Sequence, residues 1–346
     1  MTFSKDYFKN HVNSLKGVWT ALITPMVNEE DPAYYDVDWD KFFRLVDEQI
    51  EAGVDGLLIA GTTGQSATLT ESEHYILVSK AIQHTNGRVP VMVGAGSNAT
   101  YQAKELSEEL ASCDTKIKET KGMPILLHNY GYYNVPPKEG VYKHFAYLAE
   151  QMPDCPIVMY NIPGRTCCDI STDVVTELAE RYPNIIGIKY AKPKSLEVVK
   201  EIVENTDPEK FRVMSGNDDE FYDFLDLGAH GIISAAASII PYGFMGIYNL
   251  YNLGEKEKAR YKQKNIEDLL KAVYAPNTKN PMALNSMFDS ALRLPLFNIW
   301  KGFDIKNEHG RKAYEDYAPV RVMIREAMKN HEYELIPLAK ETYKNL

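Results

Sequence analysis

Lys189 is the residue of this chain best suited to covalent chemistry. It ends an apolar run at residues 185–189 that is rich in β-branched residues and too short for a helix, a pattern typical of a buried strand. An ammonium group loses much of its hydration on burial, and this loss lowers the pKa of the amine. A neutral amine attacks carbonyl carbons and forms a Schiff base. The alternative is a lysine at the strand end that extends its charged head into water.

Two further reactive side chains lie at or just after the end of the apolar run at residues 157–160. Tyr160 ends this run, and Arg165 lies in the loop that follows it. A phenol at the end of a strand can transfer protons, and a guanidinium can bind a carboxylate through two parallel hydrogen bonds. A salt bridge within the loop is the ordinary structural alternative for Arg165.

Hydroxyl groups and aromatic rings also follow the runs at residues 56–60 and 124–127. Thr62 and Thr63 lie between glycines, and their O–H and N–H groups are suited to a carboxylate, although a tight turn favours the same residues. The second run leads into an aromatic segment at residues 130–134 that contains Tyr132 and Tyr133. The alternative for that segment is an aromatic plug over the ends of the strands.

Short apolar runs alternate with amphipathic helical segments from residue 17 to about residue 253. The runs predicted as strands lie at residues 17–24, 56–60, 89–94, 124–127, 157–160, 185–189, 211–215 and 231–234. Eight β-α units in about 240 residues predict a closed (β/α)8 barrel, the TIM-barrel form of the α/β class, rather than an open sheet. The carboxyl ends of the strands meet at one face of such a barrel, so the reactive side chains are expected to share that face.

The pattern changes after residue 254, where only helices are predicted. They lie at residues 255–274, 281–289, 310–329 and 333–343. We therefore predict a barrel domain with the catalytic site at residues 1–254 and a small helical domain at residues 255–346. The segments at residues 28–40 and 112–122 are longer than barrel loops require.

The composition excludes several classes of function. The chain of 346 residues has a net charge of −10, which argues against general affinity for nucleic acid or for anionic membranes. No stretch approaches the roughly 20 apolar residues that span a bilayer, and the first residues lack the apolar core of a signal peptide. The four cysteines and eight histidines show no metal-binding spacing. We expect a cytoplasmic protein with reduced thiols and no metal.

The strand-end motifs together resemble those of the dihydrodipicolinate synthase / N-acetylneuraminate lyase family, the pyruvate-dependent aldolases that act through a Schiff base. The resemblance covers roughly residues 15 to 255. The matching motifs, in family order, are Gly-Thr-Thr-Gly at 61–64, Gly-Ala-Gly-Ser-Asn at 94–98, Tyr-Tyr-Asn at 132–134, Tyr-Asn-Ile-Pro-Gly-Arg-Thr at 160–166, Gly-Ile-Lys at 187–189, Ser-Gly at 215–216 and Gly-Ile-Ile-Ser at 231–234.

The resemblance implies a role for each matching residue. Lys189 forms the imine with pyruvate, so no external cofactor is needed, and Tyr160, Thr62 and Tyr133 relay protons. The remaining substrate-binding residues are Thr63, beside Thr62 at the pyruvate carboxylate, Arg165 at the acceptor, and Gly216 and Ile233. In the family the residue matching Tyr133 comes from a neighbouring subunit, which implies a homodimer or a homotetramer built as a dimer of dimers.

Arg165 favours the synthase branch of the family over the branch that cleaves sugar acids. The resemblance implies that this arginine binds the carboxylate of L-aspartate 4-semialdehyde, the acceptor in lysine (diaminopimelate) biosynthesis. The departures from the pattern are Tyr190 in place of glutamate, an unusual continuation at residues 191–194, Gln65 in place of glutamate, and an incomplete motif after Asn280. Two alternatives stay open: a lyase acting on a sugar acid of the 2-keto-3-deoxygluconate or N-acetylneuraminate type, and a non-catalytic barrel that binds a keto acid.

The same resemblance implies a possible allosteric site for lysine. The residues that match it are Ser66, Ala67, His74, Asn98 and Tyr132. Glu71 and Gln102 do not match, and an amide at position 102 cannot pair with the ammonium group of lysine as a carboxylate would. We therefore expect weak feedback inhibition or none.

Overall fold

The eight predicted strands form a closed barrel in the computed structural model, which describes residues 5–27, 35–115, 123–275, 280–292, 296 and 305–345. The strands follow one another around the barrel in chain order. Their bounds are β1 Gly17–Ala21, β2 Gly56–Ile59, β3 Val91–Gly94, β4 Ile125–His128, β5 Ile157–Asn161, β6 Ile185–Tyr190, β7 Arg212–Ser215 and β8 Gly231–Ser234. The fold class is thereby confirmed. The segments at 28–40 and 112–122 lie largely outside the described residues.

The chain divides into two compact units. The first comprises Met1–Trp19, Asp55–Ile59 and Glu71–Ser234, and the second comprises Thr20–Val54, Ala60–Thr70 and Ala235–Leu346. The helices of the first unit are α1 Lys5–Ser14, α3 Glu71–Thr85, α4 Thr100–Thr115, α5 Lys138–Gln151, α6 Pro163–Thr166, α7 Thr172–Arg181, α8 Leu196–Glu204 and α9 Phe221–Asp226. The domain boundary between residues 254 and 255 stays a prediction.

Side chains on the strands of the first unit point either into the barrel or outward toward the surrounding helices. Successive residues of a strand point to opposite faces. On β6, Ile188 and Tyr190 are fully buried in a cluster with Phe145 of α5 and Val175 of α7, which places them in the layer between barrel and helices. Lys189 therefore points the other way, into the barrel.

Helix α1 was not expected from the sequence. It contacts β6, and Arg212 donates a hydrogen bond of 3.1 Å from Nε to the carbonyl of Val12. The lack of a side chain at Gly187 allows the end of α1 and strand β7 to approach β6 closely. A Cβ at this position would lie 2.6 Å from the carbonyl oxygen of Arg212 and 2.8 Å from Leu15. Glycine is thus required at this point of β6 for a reason unrelated to the chemistry.

The second unit is built from helices α2 Trp39–Glu51, α10 Pro241–Asn252, α11 Lys256–Asn265, α12 Glu267–Val273, α13 Asn280–Met287, α14 Glu308–Asp316, α15 Ala318–Asn330 and α16 Pro337–Asn345. Glu48 links α2 to α16, because its carboxylate accepts a hydrogen bond from the backbone N–H of Leu338 at 2.8 Å. Arg44, on the same helix as Glu48, also donates to this carboxylate at 2.8 Å. Two of the predicted helices are each divided into two in the structure. The helix predicted at residues 255–274 breaks at Ile266, and the helix predicted at residues 310–329 breaks at Tyr317, just before Pro319.

No described helix is both long and apolar enough to cross a membrane. Among the same residues, no group of three or more His, Cys, Asp and Glu side chains is arranged to hold a metal ion.

Candidate active site

Lys189 is buried inside the barrel beside Tyr160. Its side chain is 5% exposed. Lys189 pairs in register with Tyr160 of β5 on one side and with Met214 of β7 on the other. Because paired residues of parallel strands point to the same face, the amine and the phenol meet, and Nζ lies 4.6 Å from the centre of the Tyr160 ring.

The surroundings of Lys189 favour the neutral amine. Burial lowers the pKa of Lys189 to about 8, the negative charge of Asp218 opposes this change, and the positive charge of Arg165 adds to it. At a pH near 7 a much larger fraction of Lys189 is therefore neutral than for a lysine in water, whose pKa is about 10.4. The amine is thus activated for attack on a carbonyl carbon.

Gly216 makes room for the lysine. Its N–H donates a 2.8 Å hydrogen bond to the carbonyl of Tyr190. A Cβ at this position would lie 3.1 Å from Cε of Lys189 and 2.6 Å from Cβ of Ala191. Any larger residue would therefore press on the reactive side chain, and the structure assigns Gly216 a steric role at the site.

Asp218 is a residue of the site that sequence reasoning missed. It begins the short 3-10 turn Asp218–Glu220 after β7 and is 1% exposed. Its charge acts on Lys189. A carboxylate is rarely buried so completely unless its charge is compensated. The only signal in the sequence was an acidic residue shortly after a predicted strand end.

Arg165 lies on the single-turn helix α6 that follows β5. The side chain is exposed, and its positive charge acts on Lys189. Its backbone N–H donates to the carbonyl of Ile162 at 2.9 Å, which closes the turn. Arg165 is therefore positioned by a short, locally bonded helix rather than by a long loop. Ile233, by contrast, is fully buried on β8.

Tyr133 is not assembled with the other residues within the single described chain. It lies after β4 and is 83% exposed, and neighbouring Tyr132 is 50% exposed. The backbone N–H of Tyr133 donates to the side-chain oxygen of Asn98 at 3.1 Å. Rings this exposed are not packed against the buried Lys189 and Tyr160 of their own chain.

The turn with Thr62 and Thr63 belongs to the second unit. Thr63 is 3% exposed, and Thr62 is half-buried. Thr24 fixes this turn, since its hydroxyl donates to the carbonyl of Gly64 at 2.7 Å. Gln65 has a left-handed backbone with φ of 60°, and its amide donates to the carbonyl of Thr24 at 3.3 Å. The turn is thus held by its own unit.

The five residues matched to a lysine site are distributed over both units. In the first unit His74 is 7% exposed on α3, and burial lowers its pKa. Asn98 lies next to the Tyr132–Tyr133 segment through its hydrogen bond to Tyr133. In the second unit Ser66 is half-buried and Ala67 is exposed at the turn after Gln65.

A lysine buried beside a tyrosine inside an eight-stranded barrel is an arrangement suited to Schiff-base chemistry. The sequence comparisons identify which family of enzymes this is. The Dihydrodipicolinate synthetase family matches residues 14–297, and the chain belongs to that family. This confirms the resemblance and the enzyme class, a lyase.

Individual relatives and solved structures that the chain resembles carry names of the same family. The chain is 39% identical over 285 residues to the 4-hydroxy-tetrahydrodipicolinate synthase of Methanocaldococcus jannaschii, covering 81% of this chain and 92% of the relative. The crystal structure of DHDPS from Cyanidioschyzon merolae with lysine bound has a TM-score of 0.79 and 30% identity, covering 92% and 99% of the two chains. A monomeric dihydrodipicolinate synthase variant has a TM-score of 0.78 and 30% identity, covering 92% and 97%.

Proposed function

We propose that the chain is a 4-hydroxy-tetrahydrodipicolinate synthase, which condenses pyruvate with L-aspartate 4-semialdehyde in lysine biosynthesis. The observation that carries this proposal is Lys189, buried in the barrel with a lowered pKa and paired in register with Tyr160. Membership of the family and the names of the curated relatives support the choice of substrates. We place the reaction in the cytoplasm.

The neutral amine of Lys189 attacks the keto carbon of pyruvate. Proton transfers and loss of water convert the addition product into an imine, which is positively charged when protonated. That charge withdraws electrons from the adjacent methyl group, so that a proton leaves and an enamine forms. The enamine carbon attacks the aldehyde carbon, and the aldehyde oxygen takes up a proton to become the hydroxyl group of the product. The amino group of the semialdehyde then attacks the imine carbon, which closes the product ring and displaces the amine of Lys189. The imine is formed on the protein itself, so we propose no external cofactor.

Tyr160 carries out the proton transfers. Its ring lies against the amine at 4.6 Å, and a positioned phenol can act as both acid and base. Asp218, buried near the lysine, stabilises the positive charge of the imine. The family resemblance is the basis on which we assign Thr62 to the proton relay, Thr63 to the pyruvate carboxylate and the carbonyl of Ile233 to the imine.

Tyr133 is proposed to act in a neighbouring subunit. The exposure of its ring supports this, because a group that serves the barrel of another chain has to project from its own. We therefore propose a homodimer or a dimer of dimers as the active form.

A coupled assay tests the proposed reaction. The purified protein is incubated with pyruvate and L-aspartate 4-semialdehyde, and added dihydrodipicolinate reductase reports the product through oxidation of NADPH. Sustained turnover supports the proposal. Cleavage of a sugar acid to pyruvate, with no turnover in the coupled assay, would instead support the rival lyase. A protein that neither turns over nor traps pyruvate would be a keto-acid-binding barrel.

Replacing Arg165 by alanine is expected to impair the acceptor rather than pyruvate. Loss of a charge-assisted bond to a carboxylate costs about 1.5–3 kcal/mol, or roughly 10- to 150-fold in kcat/KM for aspartate semialdehyde. Steady-state kinetics with each substrate varied in turn measure this effect. Exposed Arg181 on α7 provides a control, since Arg181→Ala leaves the strand ends intact. An unchanged response to the semialdehyde would contradict the role of Arg165.

Lysine is expected to inhibit weakly or not at all. His74 and Asn98 match the inhibited pattern, but Gln102 offers an amide where a carboxylate would pair with the ammonium group of lysine. In the structure the Gln102 amide oxygen accepts from the hydroxyl of Ser97 at 3.1 Å. The measurement is the initial rate over a lysine series, with Gln102→Glu as the variant expected to gain inhibition. Strong inhibition of the wild type at low lysine would contradict this account.

A further inference from the structure

The loop that carries Arg165 is joined to the next loop of the barrel by a salt bridge. We use "β5 loop" for residues 162–170 and "β6 loop" for residues 191–195. The ammonium group of Lys192 on the β6 loop pairs with the carboxylate of Asp169 on the β5 loop. Lys192 belongs to the stretch at which the sequence departs from the family pattern, so this bridge gives the departure a structural role.

Asp169 is also bonded to the barrel itself. Its second oxygen accepts a 2.7 Å hydrogen bond from the side-chain amide of Asn161, the last residue of β5. The Asn161 side-chain oxygen in turn accepts from the backbone N–H of Ile170 at 3.2 Å. The carboxyl end of the β5 loop is therefore held by two hydrogen bonds to the strand below it and by one salt bridge to the loop beside it.

Polar contacts then continue back toward Arg165. The buried hydroxyl of Tyr130 donates to the carbonyl of Cys168 at 2.6 Å, and the hydroxyl of Thr166 donates to the same carbonyl at 2.9 Å. Thr166 is the last residue of α6, directly after Arg165. The position of the arginine thus depends on a short run of anchored residues that ends at Asp169.

The β6 loop is itself fixed from the opposite side. The backbone N–H of Lys194 donates to Oε1 of Glu220 at 2.7 Å, and the amide of Asn217 donates to Oε2 of the same carboxylate at 2.6 Å. Lys194 has φ of 58°, a left-handed conformation that is uncommon for a residue other than glycine. Lys192 therefore extends from a loop that is held in place, which makes it an effective partner for Asp169.

We propose that the Asp169–Lys192 salt bridge is a positioning device that holds the β5 loop, and with it Arg165, in the geometry that receives the carboxylate of the acceptor aldehyde. This inference rests on the proposed function. The two side chains are 38% and 40% exposed, and an ion pair this open contributes little to global stability. The effect of breaking the salt bridge is therefore expected in substrate handling. We expect KM for the acceptor to rise about three- to fivefold, while kcat and KM for pyruvate stay within about twofold.

Four variants test this role. Lys192→Ala breaks the bridge, and Lys192→Arg restores a positive partner. Lys192→Asp places a like charge opposite Asp169. Lys200→Ala is the matched control, since Lys200 pairs along α8 with Glu204 and is similarly exposed at 58%. We expect the raised KM for the acceptor in Lys192→Ala, a rise at least as large in Lys192→Asp, recovery toward wild type in Lys192→Arg, and no change in Lys200→Ala.

Hydrogen–deuterium exchange tests the bridge independently of the acceptor. The backbone N–H groups of Arg165, Thr166 and Cys167 are hydrogen-bonded within α6, so their exchange reports the opening of that turn. Faster exchange in Lys192→Ala than in Lys200→Ala supports the proposal. Unchanged exchange together with an unchanged acceptor KM would overturn it. If the wild type traps pyruvate but does not use aspartate semialdehyde, the proposed acceptor is wrong, and the exchange result alone decides the role of the bridge.

Discussion

Lys189→Ala is expected to abolish turnover and covalent trapping of pyruvate together. The methyl side chain of alanine cannot form an imine with pyruvate. We expect turnover to fall by roughly 10⁶-fold, the scale seen when a covalent nucleophile is removed. The measurements are the coupled assay and borohydride reduction in the presence of pyruvate followed by mass spectrometry of the intact protein.

The pH dependence of trapping provides an internal check on the same residue. Burial holds the pKa of Lys189 at about 8, so the neutral fraction rises as the pH increases toward 8 and is nearly complete about one pH unit above it. The trapping rate should level off there, whereas a lysine with the pKa of about 10.4 found in water would give a rate that rises further. Exposed Lys143→Ala is the control variant and should trap normally. Retained trapping in Lys189→Ala would mean that another lysine is the nucleophile.

Tyr160→Phe is expected to slow turnover by roughly 10²–10⁴-fold, the usual contribution of a positioned acid or base. The change removes one hydroxyl and keeps the ring that lies against Lys189. Folding and the register of β5 with β6 should therefore persist, and trapped pyruvate should still appear, but more slowly. Stopped-flow measurement of adduct formation and steady-state kcat test this.

A matched control separates the chemistry of Tyr160 from the general loss of a phenol. Tyr147 lies on α5 with 41% of its surface exposed, and Tyr147→Phe should leave both rates unchanged. Thermal unfolding of the two variants should be similar to that of the wild type. A Tyr160→Phe enzyme with a kcat within a factor of a few of the wild type would assign proton transfer to another group.

The barrel and its central lysine could be predicted because their signals are local. β-branched runs of strand length alternate with amphipathic segments, and the structure places β8 at the predicted residues and the other strand bounds within a few residues. Lys189 was recognisable because a charged residue is unexpected in such a run. Tyr160 followed from the rule that barrel chemistry lies at the carboxyl ends of the strands.

The features that escaped prediction depend on contacts between distant residues. Helix α1 is set by its packing on β6, far along the chain. The charges of Asp218 and Lys189 interact only in the folded barrel, and Lys192 pairs with Asp169 only after two separate loops fold over adjacent strands. The break between helices α11 and α12 at Ile266 could not be predicted, because no proline or glycine lies beside it in the sequence.

Borohydride reduction followed by peptide mapping shows whether pyruvate forms an imine with Lys189. The wild-type protein is reduced in the presence of pyruvate, digested and sequenced by mass spectrometry, with a sample lacking pyruvate as the control. One pyruvate-dependent adduct is expected, on Lys189. An adduct on a different lysine, or an enzyme that turns over without any adduct, would show that Lys189 is not the residue that forms the imine.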